Sequence, residues 1–230
     1  KEVEPSAIRE VFVEVPDVSW RDIGGLEEIK EELRDAVQWP LQHGDVFEKF
    51  DITPPKGIML HGVSGTGKTL LAKALARESG VNFISVKGPS LMSKYVGESE
   101  RAIRDVFRTA KQASPSILYF DEIESLVPVR GKESGSGAGF TERVISQFLA
   151  EMSGIEELKG VVILATTNRL DLVDPSLLSG GRFDLILELP RPDAQAREKI
   201  FEIHLRKKPL SSEVRIETLA RLTDGRTGGD

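Results

Sequence analysis

Residues 62–71, GVSGTGKTLL, combine glycine, lysine and a hydroxyl at spacings suited to a triphosphate. Gly62, Gly65, Gly67, Lys68 and Thr69 complete the pattern G-x-x-x-x-G-K-[ST]. Glycines let backbone N–H groups wrap phosphate oxygens, and a helix starting here adds the positive end of its dipole. Lys68 is spaced to reach the β- and γ-phosphates, and the Thr69 hydroxyl to hold Mg²⁺. Val63, Ser64, Thr66 and Leu70 fill the remaining positions, so Gly62 to Leu70 form one candidate nucleotide-binding stretch. The plainer alternative is an ordinary Gly-rich turn. The flanks favour phosphate: GIML before the loop reads as a strand, and LLAKALARES after it as a helix ending at Gly80.

A second chemical site is ILYFDE at 117–122. Four apolar residues suit a buried strand, with Asp121 and Glu122 emerging at its C-terminal end, where parallel sheets bind ligands. Asp121 is placed to bind Mg²⁺ through water, and Glu122 to polarise an attacking water. The alternative is an acid pair capping the next helix. ATTN at 165–168 is the third site: Asn168 can orient the lytic water or touch the γ-phosphate. Alone, an Asn after a strand is an ordinary turn residue. No N-K-x-D stretch reads guanine, which favours ATP over GTP.

These sites need a scaffold. Strand-like runs at Gly57–Leu60, Asn82–Val86, Ile117–Phe120, Val161–Ala165 and Leu185–Leu189 alternate with helical patterns. Ala102, Ile103, Val106, Phe107 and Ala110 share one helical face, as do Val144, Ile145, Phe148, Leu149 and Met152. Apolar strands alternating with such helices predict an α/β fold, a parallel sheet covered on both faces. Beyond Pro192 two helical patterns, Ala194–Lys207 and Val214–Thr223, predict the start of a small helical subdomain.

Composition narrows the classes. The 230 residues are 39% hydrophobic and 30% charged, ordinary for a globular domain. A net charge of -6 argues against a nucleic-acid partner. There is no cysteine, hence no disulfide framework or thiolate metal site. The first sixteen residues lack a signal-peptide core, and no apolar run is long enough to span a membrane. A cytoplasmic setting is expected. GKESGSGAG at 131–139 has the composition of a flexible loop.

Taken with WRDIGGL at 20–26, KYVGESE at 94–100 and GRFD at 181–184, these motifs resemble the AAA family of ATPases over nearly the whole chain. EPSAIREVFVEVPDVSWRDIGGL resembles the linker entering the second ATPase module of tandem ATPases of the valosin-containing-protein type. The resemblance implies a five-stranded P-loop sheet of order 5-1-4-3-2, a helical lid, and a homo-hexameric ring threading protein substrates with ATP and Mg²⁺. It implies a linker at 1–19, a large α/β subdomain at 20–190, an incomplete lid at 191–230, and a preceding ATPase module in the same chain.

Residue by residue, Asp22, Ile23 and Gly24 match positions lining adenine, and His204 a position beside adenine and ribose. Without the resemblance, Ile23 reads as core and His204 as structural. Gly228 and Gly229 match the nucleotide-facing end of the lid, and Arg182 an arginine reaching the neighbouring subunit's ATP. Pairing of Arg182 with Asp184 or another nearby acid of its own subunit is the alternative. Lys94, Tyr95 and Val96 match a pore loop that grips substrate; the alternative is Tyr95 packing on its own domain.

Several positions depart from the family pattern. Val63 and Ser64 stand where two prolines are usual, and Ser179 and Gly180 replace a first arginine and a proline. Arg226 replaces an aromatic, and Gly229 an alanine. Two other classes remain open: a nucleotide-regulated scaffold subunit with weak turnover, which Ser179 favours, and a nucleic-acid motor, which the charge disfavours. No H-E-x-x-H is present for a fused metalloprotease.

Overall fold

The computed structural model describes residues 12–91, 98–129, 138–154, 160–179, 181–211 and 213–230. Six strands form one sheet: β1 Phe12–Glu14, β2 Gly57–His61, β3 Asn82–Lys87, β4 Ser116–Asp121, β5 Val161–Thr167 and β6 Leu185–Glu188. Their order is β1-β3-β4-β5-β2-β6. Strands β2 to β6 are parallel and reproduce the expected 5-1-4-3-2 order.

The sixth strand was not expected. β1 lies in the segment assigned to a linker and pairs antiparallel with β3, from Phe12 opposite Ser85 to Glu14 opposite Phe83. It covers what would otherwise be a free sheet edge. Its neighbourhood is tied to the helix that follows the Gly-rich loop: Glu14 pairs with Lys73 at 3.2 Å and Asp17 with Arg77 at 2.8 Å. Both pairs are partly solvated and hold position more than they stabilise.

The helices are α1 Glu27–Leu33, α2 Trp39–Gln42, α3 Gly44–Lys49, α4 Lys68–Ser79, α5 Glu98–Gln112, α6 Ala138–Ser153, α7 Ala194–Leu205 and α8 Ile216–Leu222. A π-helical turn at Arg34–Gln38 joins α1 to α2. Alternation along β4 sorts them into two layers. Leu118 and Phe120 face α5 and α6, where Phe120 meets Phe107 and Phe148 at ring separations of 6.0 and 5.1 Å. Ile117 and Tyr119 face the opposite layer, with Leu71 and Leu75 of α4 and Leu33 of α1. Helix α4 ends as its sequence suggests: Gly80 adopts φ 68° and its N–H closes on Ala76 O and Arg77 O.

Helices α7 and α8 form the C-terminal part. Asp193 caps α7 by accepting the Ala196 N–H at 2.7 Å. The buried Arg197 fastens the two helices by donating to Ala220 O at 2.9 Å, Pro192 O at 2.8 Å and Asp224 Oδ1 at 3.0 Å.

Candidate functional site

The C-terminal ends of β2, β4 and β5 meet the start of α4 around one cleft of about 380 Å³. From the Gly-rich loop, Ser64 to Leu70 line it. Asp121 and Glu122 line it from β4, and Thr166, Thr167 and Asn168 from β5. Gly62 and Val63 do not line it; their carbonyls accept the Lys68 ammonium at 2.8 and 2.9 Å. Burial pulls Lys68 below the usual lysine range, opposed by the carboxylates of Asp121 and Glu124. Gly65 takes φ 82°, and a Cβ there would collide with the Thr227 hydroxyl, so the loop and the C-terminal segment approach as only glycine permits.

Below the loop, four oxygens converge. Tyr119 is fully buried, and its hydroxyl lies 2.9 Å from Asp121 Oδ1, 3.2 Å from Thr69 Oγ1 and 3.1 Å from Thr166 Oγ1. Thr166 donates to Asp121 Oδ1 at 2.7 Å. Burial, then the Asp121 charge, pushes the Tyr119 phenol well above its usual range. Glu122 takes a left-handed backbone, φ 54°, uncommon for a residue with a side chain. Its carboxylate is exposed, between the main cleft and a side cavity lined by Lys87, Pro89 and Ser90. Asn168 presents its backbone N–H to Glu124 Oε1 at 3.4 Å.

The other end of the cleft is apolar. Ile23 and Gly24 line it together with Leu26, Pro190, Pro192 and, on α7, Ala196, Ile200, Ile203 and His204. Gly24 is the contact point: a Cβ there would stand 2.7 Å from Ile200 N and 2.8 Å from Ile200 Cγ1. The buried Lys30 holds this segment by donating to Ile23 O at 2.8 Å, and burial lowers its pKa. Asp22 borders the cleft with its carboxylate engaged by Ser19 N and Oγ at 2.9 and 2.8 Å, which pull its pKa down. Gly228 and Gly229 close the cleft from the C-terminal segment, where Asp230 accepts from Thr227 N and Oγ1 at 2.7 and 3.1 Å.

Arg182 stands elsewhere. Its carbonyl packs on Gly57, at the start of β2, whereas the Gly-rich loop leaves the other end of that strand. A five-residue strand separates the two by roughly 15 Å. Its guanidinium donates to Ser176 O at 2.8 Å and to Ser179 O and Ser153 Oγ at 3.4 Å. Nε is buried with no partner among the described residues. Lys94, Tyr95 and Val96 fall outside the described residues.

The sequence reading missed Ile200 and Ile203, although with His204 they sit at i, i+3 and i+4 on one helix face. It also missed the Tyr119 hydroxyl. The available signal was its i, i+2 relation to Asp121, which gives both side chains the same face of β4.

A strand leading through a Gly-rich loop into a helix, with a parallel strand ending in an acid one strand away across β5, defines a P-loop nucleoside-triphosphate site. Residues 58–191 match the ATPase family associated with various cellular activities (AAA), and the chain belongs to that family. It is 57% identical over 230 residues to the Cell division cycle protein 48 homolog of Archaeoglobus fulgidus, covering all of this chain and 31% of that protein. It is 54% identical over 230 residues to Protein SAV of Sulfolobus acidocaldarius, covering all of this chain and 29% of that protein. With the human ATPase family gene 2 protein homolog A it shares 50% over 229 residues, or 26% of that protein. The chain therefore spans under a third of each of these relatives. No helix among the described residues is long and apolar enough to cross a membrane.

Proposed function

We propose that this chain is the ATP-hydrolysing module of a ring-forming, cytoplasmic unfoldase or segregase that couples Mg-ATP hydrolysis to threading or remodelling of protein substrates. In this reading residues 1–19 are the linker from a preceding ATPase module, 20–190 the large subdomain, and 191–230 the beginning of a lid. One observation carries the nucleotide reading: Lys68, Thr69, Asp121, Glu122 and Asn168 line one end of a cleft whose other end is apolar. Adenine then lies against Ile23, Gly24, Ile200 and His204, and the phosphates against Ser64 to Thr69, with Gly228 and Gly229 closing over them.

The donors present suit magnesium. A hydroxyl and a carboxylate, Thr69 and Asp121, are hard oxygen ligands. Among the described residues no group of three His, Cys, Asp or Glu side chains forms a metal cage, so nucleotide phosphates would complete the shell. When bound, the cation neutralises phosphate charge as it builds up in the transition state. The remaining work falls to the chain's own side chains. Lys68 exchanges the carbonyls of Gly62 and Val63 for phosphate oxygens. Glu122 polarises the attacking water, and Asn168 orients it. Arg182, a strand's length from its own cleft, serves the site of the next subunit in a homo-hexamer.

The threading part rests on resemblance at Lys94, Tyr95 and Val96. Tyr95→Ala is expected to leave ATP binding intact and to impair unfolding of a tagged protein by the complete ring. Equal unfolding by variant and parent would remove Tyr95 from that role. A weakly hydrolysing scaffold subunit is the second reading, favoured by Ser179, which offers a hydroxyl near Pro175 O instead of a second guanidinium.

The deciding experiment measures steady-state ATPase against protein concentration, with oligomer mass on the same samples. Turnover per subunit should rise with assembly, and Arg182→Ala should remove the rise, by up to about 10³–10⁵ if the finger acts as in other P-loop enzymes. A dilute monomer as fast per subunit as the ring would show that the finger is not used in trans. Absence of any ATP turnover in the assembled state would support the scaffold reading.

A further inference from the structure

The sheet face under the Gly-rich loop carries a phenol tip that the nucleotide reading does not use. Tyr119 lies in β4, fully buried, its ring stacked on Phe83 at 5.3 Å. Its hydroxyl sits among Thr69 Oγ1 at 3.2 Å, Asp121 Oδ1 at 2.9 Å and Thr166 Oγ1 at 3.1 Å. We propose that Tyr119 is a positioning residue for the divalent cation, setting which way the Thr69 hydroxyl and the Asp121 carboxylate face. The proposal rests on the reading of the cleft as a Mg-nucleotide site.

A count of protons carries the argument. Three hydroxyls hold three protons, and an ionised carboxylate holds none. The 2.7 Å contact between Thr166 and Asp121 Oδ1 needs the Thr166 proton. The 2.9 Å contact between Tyr119 and the same oxygen needs the phenol's only proton. The phenol cannot also donate to Thr69, although the 3.2 Å geometry would allow it; with its one proton given to the nearer, charged Oδ1, we assign that contact to the Thr69 proton, with the phenol oxygen accepting. In this assignment Tyr119 and Thr166 both donate to Oδ1, their own oxygens lying 3.1 Å apart.

Two consequences follow for a cation. The Thr69 proton is held toward β4, which leaves the lone pairs of its oxygen for the cleft that Thr69 lines. Oδ1 of Asp121 is saturated by two donors, which leaves Oδ2 as the oxygen with capacity for the cation or its water. Orienting partners of this kind typically change metal affinity by about 10–100-fold. A hydroxyl buried only for packing would have no such consequence.

Tyr119→Phe removes one oxygen and keeps the ring. Three measurements are made on parent and variant: melting temperature without ligands, ADP affinity in EDTA, and Mn²⁺ affinity of the ADP-bound chain by electron paramagnetic resonance. The variant should melt within a few degrees of the parent and bind metal-free ADP within about twofold. It should hold Mn²⁺ about tenfold more weakly. Thr166→Val, which takes a donor from Asp121 but does not touch Thr69, should weaken Mn²⁺ less. Unchanged Mn²⁺ affinity in Tyr119→Phe would overturn the proposal, as would equal losses in the two variants. A Tyr119→Phe chain that does not fold would also overturn it, by showing that the core, not the cation, needs the hydroxyl. A parent that binds no ADP would instead refute the nucleotide reading on which it stands.

Discussion

The two ends of the cleft are built differently. At the loop end the chemistry is polar, buried and held by short bonds: the Lys68 ammonium on two carbonyls, and Asp121 under two hydroxyls. Its parts come from the ends of adjacent strands and the first turn of α4, so the sheet itself fixes them. At the Ile23 end the lining is apolar and comes from two bodies of chain in contact, the segment around Gly24 and helix α7. Phosphate charge needs fixed donors, because an unpaired buried charge is expensive. A flat base needs only apolar surface of the right width, which many side chains supply. The first end should therefore respond to loss of single atoms, and the second to loss of fit.

The largest effect expected within one module is at Glu122. Glu122→Gln should lower turnover by about 10²–10⁴ while ATP affinity stays within about threefold, read by phosphate release and by equilibrium binding. Hydrolysis at the parent rate would remove Glu122 as the base. Next comes Gly24→Ala, whose new methyl would press on the backbone and side chain of Ile200. Affinity for ATP and ADP should fall together by about tenfold, with about 1–3 kcal/mol lost from stability. A change confined to ATP would mean that this end senses phosphate after all.

The smallest effect concerns Lys30, which supports the Ile23 end. Burial lowers its pKa, so the unfolded chain binds more protons between the folded value and the ordinary lysine value of about 10.4. Stability supplied through this group is therefore least at lower pH and recovers as pH rises through that window. Against Lys30→Met, the parent's unfolding free energy should gain as pH rises from the lowered folded value toward the ordinary lysine value of about 10.4. A flat difference between the two would show that Lys30 titrates as it does in the unfolded chain.

The same contrast explains what the sequence made legible. Lys68, Thr69, Asp121 and Asn168 are each announced by a run of neighbours, because a phosphate site is made from strand ends and the turns that follow them. The five parallel strands were legible for a related reason: a strand buried on both faces is a near-continuous apolar run, as Val161–Ala165 is before the two buried threonines that end β5. Ile200 and Ile203 were not, since nothing local says that α7 folds back onto Gly24. β1 escaped because three residues, FVE, carry no measurable period. Tyr119 read as one more apolar strand residue, and its oxygen matters only once α4 lies above it. The family resemblance supplied the Asp22–Gly24 segment and His204; physical reading alone left Ile23 as core and His204 as a structural histidine.

The central claim is that one cleft takes the triphosphate at Lys68 and the base at Ile23. Its most direct test is equilibrium binding of ATP, ADP and AMP to the parent, Lys68→Ala and Gly24→Ala chains by calorimetry. Lys68→Ala should weaken ATP by about 10²-fold or more, as removal of one partner of a desolvated charge contact does, and AMP far less. Gly24→Ala should weaken all three by a common factor. If Lys68→Ala instead lowers ATP and AMP by the same factor, or leaves ATP binding unchanged, the division of the cleft into a phosphate end and a base end is contradicted.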